Sequence, residues 1–247
     1  MKELGHHNRL DVELVKRGLF SSRAQARAAI EAGKVAVDGV VAAKPGLVVR
    51  PDAVIEAEPA HPWVSRGGVK LAHALDVFGV SPDGRVCLDI GASTGGFTDV
   101  LVSRGASRVV AIDVGRDQLH PRLRNDKRVI SLEGTDAREL TTRLTGESPT
   151  LVVCDASFIG LAKVLGKALG LAAPGADLIA LFKPQFEVGP SHVGKGGLVT
   201  DAAATEAAAG AVERWLRSEG WGVVGWTRSP IAGGDGNLER LLHARKI

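Results

Sequence analysis

The stretch CLDIGASTGGFTDVL, residues 87–101, restricts the fold of this chain more than any other. Apolar residues 86–90 read as a buried strand that carries Asp89 to its carboxyl end. Gly91, Ala92, Ser93, Thr94, Gly95 and Gly96 follow as a tight turn, in which the glycines let backbone approach a ligand with no Cβ in the way. Phe97, Val100 and Leu101 give the next helix a core-facing side. Strand, glycine turn and helix in this order bind a nucleotide-like cofactor at the open end of a parallel sheet. The competing reading is a structural turn in an α/β domain.

The wording departs from the dinucleotide fingerprint. G-x-G-x-x-G is absent, and an acid precedes the first glycine. A pyrophosphate favours bare amides at a helix N-terminus, whereas a sulfonium cofactor with an amino-acid tail tolerates a nearby carboxylate. The form D-x-G-x-x-x-G-G-F is similar to S-adenosylmethionine sites.

At 247 residues the chain fits one large or two modest domains. A net charge of +3 gives no global case for nucleic acid, but residues 1–50 hold nine Lys/Arg against five acids. Cys87 and Cys154 sit in apolar strand-like runs without metal-ligand spacing, so they read as core thiols in a reducing cytoplasm, and no metal is expected. The N-terminus has no apolar signal core and no run of 18 apolar residues occurs, so a cytoplasmic protein without a membrane span is expected. Tyr is absent and aromatics are scarce, which argues against a base-stacking RRM sheet.

Composition changes near residue 60. Before it, Leu10, Leu14 and Val15 repeat at helical spacing up to Gly18, and Ser21 or Ser22 can cap a second helix that carries Ala26, Ala29 and Ile30 and ends at Gly33. Residues 34–37 and 40–41 read as a hairpin about Asp38–Gly39, with a further short strand at Val54–Ile55. Two prolines make 59–64 a stiff linker. Beyond it, strands are predicted at 86–90, 108–113, 129–132, 151–155, 177–183, 221–229 and 239–243. Helices are predicted at 70–78, 97–104, 117–124, 159–171 and 202–219. The alternation implies an α/β fold: a Rossmann-like parallel sheet covered on both faces, ending in an antiparallel hairpin and preceded by a small α+β domain.

Four charged residues stand where that fold has its open edge. Asp155 ends LVVCD, Lys183 ends DLIALFK, Lys70 opens a helix after SRGG, and Glu239 begins the last strand after GGDGN. Strand carboxyl ends converge on the ligand crevice, so Asp155 and Lys183 point toward the glycine turn. A structural ion pair at the sheet edge is the alternative. Asp113 closes VVAID, where an acid accepts ribose hydroxyls; Asp136 is placed to meet an adenine amino group.

The second zone resembles the FtsJ-type ribose 2′-O-methyltransferases. The full chain resembles the TlyA family of rRNA 2′-O-methyltransferases, also called haemolysin A, through RLDVELVKRGLFSSRAQA, WVSRGGVKL, CLDIGASTGGFTDVL, CDASFI, FKPQFEVG and GNLE. The resemblance implies an alpha-L type RNA-binding domain at 1–58, the linker at 59–64 and an FtsJ-like catalytic domain at 65–247. It implies that Lys70, Asp155, Lys183 and Glu239 form a Lys-Asp-Lys-Glu tetrad, with Lys183 as general base and Lys70 as the neighbouring cation.

Those residue types suit the chemistry. A ribose 2′-hydroxyl is a weak acid, and a lysine amine can take its proton if burial or an adjacent cation keeps the amine neutral. Asp155-Ala156-Ser157-Phe158 lacks the double proline of amino-group methyltransferases, and Cys154 lacks the setting of a cytosine-C5 nucleophile. Arg9, Arg17, Arg23, Arg27 and Lys34 in the small module, together with Arg66, are the expected RNA contacts, against the alternative of solvated surface charge. The expected partner is ribosomal RNA or a ribosomal subunit, methylated on cytidine. Because the chain stops soon after its last strand, the resemblance to shorter members of the TlyA family implies a leaning toward the large subunit. A non-catalytic RNA-binding protein that retains S-adenosylmethionine and a pore-forming haemolysin are the competing functions.

Overall fold

The computed structural model describes residues 7–20 and 22–247. It divides into two compact units between Pro62 and Trp63, within the 59–64 stretch.

The first unit runs β1 (Asn8–Arg9), α1 (Leu10–Lys16), α2 (Arg23–Glu31), β2 (Val35–Val37), β3 (Val40–Val41), β4 (Val48–Val49) and β5 (Ile55–Ala57). Leu10 and Leu14 of α1 pack on Ala26, Ala29 and Ile30 of α2, the faces their spacing sets. Ser22 caps α2 by accepting the Gln25 amide at 3.3 Å; Ser21, the other expected cap, lies outside the described residues. Asp38 and Gly39 both have positive φ, 50° and 80°, as a two-residue hairpin turn with right-handed strand twist requires. The strands pair as β3-β2-β5, and β1 pairs separately with β4.

The second unit runs α3 (Gly67–Phe78), β6 (Val86–Ile90), α4 (Gly96–Ser103), β7 (Arg108–Asp113), α5 (Pro121–Arg124), β8 (Val129–Glu133), α6 (Thr142–Thr145), β9 (Leu151–Cys154), α7 (Leu161–Leu171), β10 (Asp177–Phe182), α8 (Pro184–Glu187), α9 (Ala202–Ser218), β11 (Trp221–Arg228) and β12 (Arg240–Lys246). The sheet order is β11-β12-β10-β9-β6-β7-β8. Strands β10, β9, β6, β7 and β8 are parallel, and β12 runs antiparallel to both neighbours. From β6 the chain moves outward through β7 and β8, then returns to the other side of β6 as β9. The strand order therefore reverses between β6 and β9, where open α/β sheets place ligands. Two apolar clusters fill the faces of the sheet.

Differences from the sequence reading have local causes. The helix expected at 117–124 shortens to α5, because Asp117 takes φ 56°, Pro121 fixes the first turn and His120 caps it. The helix before Lys70 starts three residues earlier, and β12 starts one residue after Glu239 and runs on to Lys246. The short helices α6 and α8 have too few residues to show a period.

Candidate functional site

Register brings the charged residues of β10 and β12 together. Phe182 pairs with Arg240 at the end of the antiparallel ladder, so Lys183 and Glu239 flank the next position. Lys183 Nζ lies 2.7 Å from Asp155 Oδ1, an ion pair off the axis of a good hydrogen bond. The same nitrogen donates to the Asp155 carbonyl at 3.1 Å and to Ser157 Oγ at 2.7 Å. Lys70 Nζ donates to Glu239 Oε2 at 2.5 Å. Both lysines are 8% exposed and Glu239 is 5% exposed. Gly67 ties the pairs to one rim: a methyl there would sit 3.3 Å from Asp155 Oδ2, and Lys70 lies one turn further along α3. The four charges thus form two ion pairs, Lys70–Glu239 and Lys183–Asp155, with Lys183 and Glu239 one residue beyond the last paired position of β10 and β12.

Beside this rim a cavity of about 480 Å³ opens at the strand reversal, within the size range of small-molecule sites. Gly91, Ser93, Asp113, Asp136, Asp155 and Ser157 are on its wall. Gly91 has φ 79°, and a methyl there would fall 2.8 Å from the Ala156 backbone, so only glycine lets the β6 turn lie this close to the loop after β9. Asp113 Oδ2 accepts the Ser93 amide and Oδ1 accepts the Gly115 amide, each at 2.7 Å, which clasps the glycine turn to the end of β7. Each oxygen keeps a second lone pair. Asp136 caps the turn 137–139, and the Arg138 guanidinium at 2.6 Å holds its carboxyl below the ordinary carboxylate range.

The rest of the motif stands behind the wall: Asp89, Ala92, Thr94, Gly95, Gly96 and Phe97 do not line the cavity. Asp89 is fully buried, and burial pushes its carboxyl up to about 7 although Thr98 donates to it at 2.6 Å; its other oxygen has no partner.

Three residues of the site escaped the sequence reading: Ser157 on Lys183, Gln118 on Ser93, and Phe158, which is 91% exposed with φ 65° at the cavity mouth. The only sequence signal for Ser157 and Phe158 was their place directly after the strand-ending acid. Burial pushes both cysteine thiols up to about 12, which leaves them inert at neutral pH. Among the described residues no group of three His, Cys, Asp or Glu side chains could hold a metal ion, and no helix is long and apolar enough to cross a membrane.

The basic residues of the small unit divide by environment. Arg9 and Arg23 both pair with buried Asp11, at 3.0 and 2.8 Å. Burial alone would raise the Asp11 carboxyl, but these two guanidinium groups hold it down at about 2. Arg17 binds Glu13 at 2.9 Å and donates to the carbonyls of Ala53 and Pro51, so it ties α1 to the loop before β5. Lys34 pairs with Glu58 at the surface, and Arg27 is exposed. In the second unit, Arg66 donates to the Ala232 carbonyl at 2.6 Å.

Comparison with known proteins follows the same two units. Residues 63–246 match the FtsJ-like methyltransferase family and residues 8–55 match the S4 domain. The chain is 49% identical over 239 residues to the 16S/23S rRNA (cytidine-2′-O)-methyltransferase TlyA of Mycobacterium tuberculosis, across 96% of this chain and 89% of the relative. It is 38% identical to hemolysin A of Brachyspira hyodysenteriae, across 95% and 98% of the two chains. A solved structure from Streptococcus thermophilus, provisionally named a hemolysin, shares 38% identity at a TM-score of 0.76, across 97% of this chain and 88% of that one. With an S4 domain ahead of an FtsJ-like domain and this likeness over nearly its whole length, the chain belongs to the TlyA family of FtsJ-like methyltransferases.

Proposed function

We propose that this protein transfers a methyl group from S-adenosylmethionine to the 2′-hydroxyl of a cytidine in ribosomal RNA, with Lys183 as general base. The observation that supports the reading is two buried lysine–carboxylate pairs, Lys70–Glu239 and Lys183–Asp155, with Asp155 on the wall of a cofactor-sized cavity. The relative from Mycobacterium tuberculosis is named for cytidine 2′-O-methylation of both 16S and 23S rRNA, which supports the substrate class.

The cavity fits the cofactor. Asp113 offers free lone pairs to ribose hydroxyls at the end of β7, Asp136 an acceptor for the adenine amino group, and Gly91 and Ser93 the edge of the glycine turn that faces the cavity. When bound, the cofactor supplies an electrophilic methyl carbon. Lys183 removes the proton of the attacking hydroxyl, and Asp155 holds the lysine amine in place. Lys70 adds a second positive charge near the developing oxyanion, and Glu239 fixes its ammonium. Positioned base catalysis contributes about 10²–10⁴-fold; holding hydroxyl and methyl in line contributes at least as much. The S4 domain supplies RNA affinity, with Arg27 and the outward sides of Arg9 and Arg23 available to phosphates.

The test is methyl transfer from labelled S-adenosylmethionine to unmodified small and large ribosomal subunits, with mapping of the nuclease-resistant 2′-O-methyl dinucleotide. Lys183→Ala abolishes transfer and leaves cofactor and RNA binding nearly intact. Label on a base, or undiminished transfer by this variant, overturns the reading.

A further inference from the structure

We propose that Ser157 is a catalytic residue that relays the proton from the ribose 2′-hydroxyl to Lys183; the proposal rests on the reading of Lys183 as base. Lys183 Nζ already has three acceptors around it: Asp155 Oδ1, the Asp155 carbonyl and Ser157 Oγ, at 2.7, 3.1 and 2.7 Å. An ammonium has three N–H donors and its fourth bond goes to carbon. Two of these directions hold hydrogen bonds, to the Asp155 carbonyl and Ser157 Oγ, and the Asp155 carboxylate crowds the amine at 2.7 Å without lying on a bond axis, so the protein surrounds the nitrogen on the side where a substrate oxygen would approach.

Exposure points the same way. Lys183 is 8% exposed and does not line the cavity, whereas Ser157 is exposed and lines it. Of the three groups around the amine, the carbonyl can only accept a hydrogen bond and the carboxylate serves as counter-charge. The serine hydroxyl alone both donates and accepts. It is the group through which a proton can enter the lysine from the cavity side.

The step balances. In the reactive state Lys183 is a neutral amine whose lone pair accepts the Ser157 O–H, while one N–H stays on the Asp155 carbonyl and the other faces the Asp155 carboxylate. As the ribose oxygen turns its electron pair to the methyl carbon, its O–H bond breaks and that proton bonds to Ser157 Oγ. The original Ser157 O–H breaks in concert, and its proton bonds to Lys183 Nζ. Serine ends as a neutral hydroxyl and lysine as an ammonium with three acceptors, the arrangement the structure shows.

The experiment measures single-turnover methyl transfer with full-length enzyme, unmodified ribosomal subunits and labelled S-adenosylmethionine, for wild type, Ser157→Ala, Ser157→Thr and Lys183→Ala. Ser157→Ala slows transfer about 10²-fold with unchanged affinities for cofactor and subunit, and Ser157→Thr restores most of the rate. In mixtures of light and heavy water the wild-type rate bows with deuterium fraction, as two moving protons require, and the residual rate of Ser157→Ala falls on a straight line. A Ser157→Ala enzyme at wild-type rate, a straight line for wild type, or a loss confined to binding overturns the relay. If Lys183→Ala remains inactive in those cases, the base assignment stands; if Lys183→Ala is active, the base assignment itself falls.

Discussion

Lys70 Nζ and Glu239 Oε2 lie 2.5 Å apart although 169 residues separate them in the chain. Their side chains are 10% and 3% exposed. Removing one partner leaves a charge in a site that water barely reaches, which costs about 3 kcal/mol. Lys70→Met and Glu239→Leu are each expected to lower the unfolding free energy from urea titration by that amount, and the double variant to recover most of it. Methyl transfer stays lost in all three. Activity that returns with stability in the double variant would assign the pair a structural role only.

Asp113 uses both carboxylate oxygens to hold the backbone amides of Ser93 and Gly115, two residues of the cavity wall. Charge-assisted bonds of this kind contribute about 1.5–3 kcal/mol each. Asp113→Ala is expected to weaken S-adenosylmethionine binding at least tenfold by titration calorimetry, with RNA affinity unchanged.

A methyl at residue 91 would meet the backbone of Ala156 at 2.8 Å, and the site also demands φ 79°. Backbone cannot step aside as a side-chain tip can. Gly91→Ala is expected to cost more than ~1 kcal/mol in denaturant unfolding and to abolish cofactor binding, because the turn and the Asp155 loop are forced apart.

Asp177, at the opposite end of β10, gathers His243 at 2.8 Å, Arg85 at 2.8 Å and Arg245 at 3.1 Å. Burial raises its carboxyl, and these partners overcome that and hold it at about 2, against 3.8 unperturbed. A depressed carboxyl stabilises the fold above the unfolded value and loses that contribution as pH falls through the folded one. The contribution is about 2 kcal/mol. Urea midpoints between pH 5 and pH 2 should therefore fall more steeply for wild type than for Asp177→Asn.

Glu187 has the opposite sign. Burial pushes its carboxyl up to about 7 while Oε1 accepts the Leu161 amide at 2.7 Å. The unfolded chain ionises first, so stability falls from about pH 4.5 to pH 7 and then levels. Glu187→Gln keeps the acceptor and removes the ionisation. Its melting temperature is expected to exceed that of wild type at pH 8 and to match it at pH 4; an equal difference at both values would remove the titration from the account.

Arg17 and Arg27 stand four and fourteen residues after Glu13 in the sequence, yet their surroundings assign them different work. Arg17 is wrapped by Glu13 and two carbonyls, so Arg17→Ala lowers the thermal midpoint of the protein. Arg27→Ala leaves it unchanged and reduces the salt dependence of RNA binding by about one phosphate contact.

The order of elements could be read from the chain because hydrophobic period is a local property. Alternation and apolar runs marked each strand of the large sheet to within a few residues, and the glycine turn after Asp89 marked its open edge. Short helices such as Pro184–Glu187 gave no signal, since a single turn has no period to read. The amino acids alone determined which charges stand at strand ends. Only the tertiary structure decided their neighbours: Glu239 opposite Lys183 and on Lys70, Ser157 on the lysine amine, and Asp11 between Arg9 and Arg23. The reason is physical. Strand propensity depends on residues next to one another, whereas an ion pair depends on register between strands that the chain reaches only after long excursions, and register is set by packing of the whole sheet.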